Sequence, residues 1–193
     1  MKIYDLIRKN RSVRRFDSSV SIGRDFLISL IDLARLSSSA RNRQPYKYYI
    51  VHTPEVCEKI FPLCQWAGYL KDWEGPSVDE RPTAYIIQLL DLSLSSQPGS
   101  DVGIPLQSIL LGATEKDLAG CIIGAFSKDS LLDVLSLSKS HFLPTHIIAL
   151  GKPIEEVRID SVHDGSIEYW RDAQGVHHVP KRDLNDLLIN CTI

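Results

Sequence analysis

The sequence predicts an α+β protein in which helices flank a central mixed sheet. Segments whose apolar residues recur at helical spacing alternate with short strand-like runs, after an initial helical pair. The chain shows no internal repeat and no low-complexity tract, which sets aside solenoid and fibrous folds. Its 193 residues suit one domain, 1–193, long enough to bury a sizeable core.

The elements follow in order. Ile3, Leu6 and Ile7 share a helix face within residues 2–9, and a basic run from Arg8 to Arg15 follows. Ser21 offers a cap for a second helix with the stripe Phe26, Leu27, Leu30, Ile31 and Ala34. A polar loop from Ser37 to Pro45 leads into Tyr46–His52, an aromatic and β-branched segment that reads as a strand. Residues 54–66 have helical spacing, and 68–82 read as a loop or lid on account of Gly68, Gly75, Pro76 and Pro82. Ala84–Leu90 fits a strand or a buried helix, and periodicity does not decide between them. After a turn-like stretch, 95–101, Pro105 suits the first turn of a helix carrying Leu106, Ile109, Leu110 and Ala113. A short strand at Cys121–Ala125, a helix over Lys128–Leu137 and a strand at His146–Gly151 complete the predicted core. Ile167–Trp170 and Val176–Val179 then form a hairpin around Arg171–Gly175, ahead of a last helix at Leu184–Ile189.

Bulk properties narrow the function. A formal net charge of -2 gives no general attraction to nucleic acid or anionic lipid, so neither is an expected partner. The first sixteen residues are charged throughout, and no run approaches the ~20 apolar residues of a membrane span, which predicts a cytoplasmic protein. Cys57, Cys64, Cys121 and Cys191 have neither zinc-site nor disulfide-framework spacing and read as reduced structural thiols. His177-His178 could ligate a metal. Adjacent strand residues point to opposite faces, however, so no metal is expected.

Four segments could carry chemistry. Arg11-Ser12-Val13-Arg14 offers two guanidinium groups and a hydroxyl to a phosphate, or is simply a solvated helix end. Ser38–Pro45 brings small and amide side chains that can approach a planar ligand, or forms an ordinary turn. Gly120–Phe126 ends a buried strand in Gly-Ala, where a backbone N–H can meet a ligand unobstructed. Lys181-Arg182 could complete a phosphate pocket. Neither a dinucleotide-binding glycine fingerprint nor a P-loop is present.

In this order the segments resemble the FMN-dependent nitroreductase family. Arg-Ser-Val-Arg looks like its phosphate-binding motif, and Asn42-Arg43-Gln44-Pro45 entering Tyr46 looks like its serine-rich segment. Asp101-x-Gly103, Gln107 and Ile123-Gly124-Ala125-Phe126 resemble its later block, and Leu150-Gly151-Lys152-Pro153 its last core strand. The resemblance spans residues 1–190 and implies a nitroreductase-like fold, a homodimer and FMN as cofactor. It places Asn10, Arg11 and Ser12 at the FMN phosphate with Lys181 or Arg182, and Arg14 at the flavin N1/O2 edge. Ser38, Ser39, Ala40 and Asn42 would reach the partner subunit's flavin, while Ile123, Gly124 and Ala125 would lie along N5 and O4. The implied reaction is ping-pong transfer from NADH or NADPH to a nitroaromatic, quinone or similar acceptor, with no catalytic side chain because FMN carries the chemistry. The sequence departs from the family at Asn10 (often arginine), Ser38 (proline), Tyr46 (tryptophan) and a short region, 68–100. A dehalogenase-like, flavin-cleaving or azoline-oxidising relative, and a flavin-binding protein without turnover, stay open.

Overall fold

A computed structural model describes residues 1–190. Cys191, expected to be a reduced structural thiol, lies outside the described residues. The order is α1 (Ile3–Lys9), β1 (Phe16–Asp17), α2 (Arg24–Leu36), β2 (Tyr46–Val51), α3 (Pro54–Ile60), β3 (Ala84–Asp91) and α4 (Gly103–Glu115), then β4 (Ala119–Ile123), α5 (Lys128–Val134) and β5 (Phe142–Pro153). The chain closes with β6 (Val157–Ser161), β7 (Trp170–Arg171), β8 (His177–Lys181) and α6 (Leu184–Leu187).

β5 organises the main sheet. It pairs antiparallel with β3, β4 and β1, and β2 pairs antiparallel with the far side of β3. The bridge between Ser12 and Gly120 is parallel, and in the second sheet β8 lies between a parallel β6 and an antiparallel β7. The ambiguous run 84–90 is thus a strand, and its first seven residues are all buried. Both faces are covered, which erases the alternation that would have identified it. On one face Tyr85, Ile87 and Leu89 pack with Ile60 and Leu131 from α3 and α5. On the other, Ala84 and Ile86 pack with Leu27, Leu30, Leu106 and Ile109 from α2 and α4. Burying each such aliphatic side chain contributes roughly 1.5–3 kcal/mol before chain entropy is set against it. α2 and α4 approach closely because Gly112 has no side chain; a Cβ there would lie 2.3 Å from Leu33 Cδ1.

Several boundaries differ from expectation. α2 begins at Arg24 after Gly23, with no side-chain cap, so Ser21 does not cap it. The helix expected over 54–66 stops at Ile60 and tightens into a 3₁₀ turn, Phe61–Leu63, where Pro62 has no N–H for another helical bond. α5 ends at Val134, three residues short of the expected end. β5 extends at both ends beyond 146–151 because β3 pairs back to Phe142 and β1 pairs forward to Pro153. The C-terminal hairpin is real but short, with Trp170 opposite His178. β6 was not expected, since Val-Arg-Ile-Asp-Ser is too polar to read as a strand until β8 pairs with it. α6 is a single turn. Among the described residues no helix is long and apolar enough to cross a membrane.

Candidate functional site

α1 ends where the Asn10 N–H bonds to the Leu6 carbonyl, and the chain then runs extended beside β4. The Val13 N–H donates to the Gly120 carbonyl at 3.1 Å. Gly120 in turn permits β4 to pair with β5: a Cβ there would sit 2.4 Å from the Ala149 carbonyl oxygen. Val13 turns inward against Phe16 and Ala119. Alternation along the extended segment then directs Ser12 and Arg14 to the other side.

There they line a recess of about 270 Å³. Asn10, Arg11, Ser12 and Arg14 form one wall; Gln107 and Leu110 of α4 and Ile122 of β4 form the floor; Tyr169, His177, Val179 and Lys181 close it from the second sheet. Arg11 donates through Nη2 to the Ile7 carbonyl at 2.7 Å. Its Nε is buried without a partner among the described residues, and desolvation holds its pKa below the ordinary arginine value. A cation withdrawn from water with an unused donor is unfavourable by itself and suits an anion, above all one with several acceptor oxygens.

Arg14 is held more firmly. Glu155, a buried carboxylate, accepts from its backbone N–H at 2.9 Å and from Arg171 at 2.6 Å. The Arg14 guanidinium lies 3.4 Å from the Ser12 carbonyl, 3.3 Å from His177 Nε2 and 4.9 Å from the centre of the Tyr169 ring. Burial pushes the His177 pKa down to about 4, with Arg14 and Arg171 acting in the same direction and Glu155 opposing. The neighbouring His178 faces the other way, between Asp160 (2.6 Å) and Asp172 (3.1 Å) and stacked on Trp170; these carboxylates, Asp172 foremost, raise its pKa. The Tyr169 hydroxyl accepts from the Tyr69 N–H at 3.4 Å, which joins the 68–82 loop to the segment entering β7.

The structure therefore brings Asn10, Arg11, Ser12, Arg14 and Lys181 together and leaves Arg182 off the recess lining. Alternate β8 residues face the same way, so Lys181, the last residue of β8, shares a side with His177 and Val179, and Arg182 lies beyond the strand. The same alternation buries the Ile123 side chain in the core below α3 and α5, while Ile122 lines the recess. Gly124 and Ala125 are exposed where β4 ends. The sequence reading weighs His177 only as a metal ligand and does not single out Tyr169. Strand alternation linking residue 177 to Lys181 was the signal for the histidine, while Tyr169 carries none.

None of the four loop residues Ser38, Ser39, Ala40 and Asn42 lines this recess. Their loop is built to hold a shape. Buried Asp101 accepts from the Ala40 N–H at 2.8 Å, and that bond leads the causes lowering its pKa. The Ser39 hydroxyl accepts from the Gln44 N–H at 3.0 Å. Arg41, Asn42 and Gln44 adopt φ of 54°, 52° and 49°, a left-handed conformation that non-glycine residues adopt at a cost and that tends to mark functional loops. Beside the loop, Ile3, Leu33, Leu36, Ile104 and Leu111 border a shallow apolar groove of about 570 Å³ between α1, α2 and α4.

A family model described as the nitroreductase family matches residues 7–90. An oxygen-insensitive NADPH nitroreductase of Helicobacter acinonychis is 25% identical, over 78% of this chain and 87% of that protein. Among solved structures, a nitroreductase family protein from Clostridium novyi NT superposes with a TM-score of 0.65 at 23% identity, covering 79% of this chain and 87% of that one. A protein of Exiguobacterium sibiricum 255-15, solved in complex with FMN, gives 0.63 at 15% identity, over 80% and 89%.

Proposed function

Because the chain is a nitroreductase-family protein with that family's fold, we propose that it is a homodimeric FMN oxidoreductase. It would pass reducing equivalents from NAD(P)H to a nitroaromatic, quinone or similar organic acceptor in two successive half-reactions. One observation carries the reading: Arg11, partly desolvated and with a buried Nε lacking a partner among the described residues, shares a recess with Ser12, Arg14 and Lys181. That donor set fits the phosphate of FMN, with each charge-assisted bond contributing about 1.5–3 kcal/mol.

In this reading Arg11, Ser12 and Lys181 hold the phosphate, and Asn10 lends a neutral donor where a relative would have a cation. Arg14 presents positive charge to the pyrimidine edge of the flavin, where it favours the reduced, anionic form. Gly124 and Ala125 leave the end of β4 free of bulk, and Tyr169 covers one side of the recess. FMN, when bound, supplies the two-electron chemistry; the protein's part is binding, orientation and charge.

The 38–45 loop supports the second copy. It is exposed and preshaped, yet remote from the recess lining of its own chain, and an apolar groove adjoins it. Docking two copies through that groove would bury Ile3, Leu33, Leu36 and Ile104, all at least 40% exposed. Three buried thiols, Cys57, Cys64 and Cys121, suit a reducing cytoplasmic setting. Purified protein should be yellow, elute at twice its 21.7 kDa chain mass, bleach on mixing with NADH or NADPH, and regain colour with a quinone. A colourless monomer that stays so in excess FMN would sink the proposal.

A further inference from the structure

Beyond the Ser12 carbonyl, 3.4 Å from its guanidinium, Arg14 is held by the second sheet and the segments that lead into it. Glu155 fixes its backbone, Tyr169 covers one face of its guanidinium, and His177 meets Nη1 at 3.3 Å. Among the described residues no carboxylate pairs with that guanidinium: Glu155 is engaged by Arg171 and by the Arg14 backbone N–H. A carboxylate partner would fix the side chain but cancel its charge. A neutral imidazole fixes it and leaves the charge intact. We propose that His177 is a positioning residue which, as a neutral acceptor, aims the Arg14 cation into the cofactor recess without neutralising it.

The surroundings support that role. Nε2 faces a cation that can only donate, so Nε2 accepts and the ring proton belongs on Nδ1. Nδ1 is buried and without a partner among the described residues, so the ring sits where Arg14 needs an acceptor rather than where its own bonding is best satisfied. The Arg14 guanidinium and the Tyr169 ring, 5.2 Å away centroid to centroid, face the imidazole, and the charges acting on it are those of Arg14, Arg171, Glu155 and His178. Burial and the two arginines keep the imidazole uncharged at neutral pH, against the pull of Glu155.

The inference rests on the FMN reading, and the experiment separates the two. FMN affinity and the midpoint potential of bound FMN are compared in wild type, His177→Met, His177→Gln, Arg14→Ala and the double variant Arg14→Ala/His177→Met. His177→Met should lose about tenfold of the preference for reduced over oxidised FMN, a fall of about 30 mV for a two-electron couple. His177→Gln, which keeps an acceptor, should restore most of it, and the double variant should be no worse than Arg14→Ala. Wild-type potential in His177→Met, or additive losses in the double variant, would overturn the role of His177 while FMN binding stands. A wild type that retains no FMN overturns both readings. Should His177→Met fail to fold, His177→Glu decides: it keeps an acceptor but cancels the cation, so the potential must fall, and an unchanged potential refutes the proposal.

Discussion

The recess around Arg11 and the loop around Asn42 are both read as walls of one cofactor site, yet they are built in opposite ways. The recess is cationic and incompletely bonded, with a partly desolvated guanidinium whose Nε has no partner among the described residues. The loop is exposed and bonded to itself, its strained backbone held by Asp101 and Ser39. A wall that binds an anion keeps donors in reserve, because bonds already made within the protein would compete with the ligand. A wall that must reach another subunit needs its shape fixed beforehand, so that ordering it does not weaken association.

Breaking the recess should have the largest effect. Arg11→Ala should weaken FMN binding by roughly 10- to 100-fold, since a charge-assisted bond contributes about 1.5–3 kcal/mol, while leaving dimer mass unchanged; fluorescence titration and light scattering check the two halves. Breaking the loop should act the other way round. Asp101→Ala strands the Ala40 N–H and should cost about 1–3 kcal/mol of stability in urea unfolding, whereas Asp101→Asn keeps an acceptor and should cost less. FMN should be lost from Asp101→Ala because the loop, and not the phosphate grip, has changed.

The adjacent histidines sharpen the contrast through pH. His177 has a depressed pKa, so the unfolded chain binds its proton first on acidification. The stability it contributes is present above about pH 6.5 and is lost as pH falls towards about 4. His178 has a raised pKa, so its contribution is full below about pH 6.5 and is lost as pH rises through the folded value. Thermal melts across pH should show His177→Gln flattening the acid limb and His178→Gln removing stability chiefly on the acid side; identical profiles would contradict the assignment. The smallest effect is expected at the C-terminal pair. Lys181→Ala should weaken FMN several-fold, and Arg182→Ala by less than about twofold, because only Lys181 lines the recess.

The sequence alone determined a good deal. The helix faces of α2 and α4, the strand at 46–51 and the basic segment 11–14 follow from periodicity and residue type, which are local. The order of motifs was enough to indicate the resemblance to the nitroreductase family, whose model matches residues 7–90. Tertiary structure decided the rest. β3 became a strand because β2 and β5 pair with it, β6 became one because β8 lies beside it, and Lys181 rather than Arg182 joined the recess because β8 ends at Lys181 on the side of His177. Tyr169 and His177 reached Arg14 across more than 150 residues of chain. Contacts over such separations depend on how sheets and layers stack, and no short window of sequence encodes that.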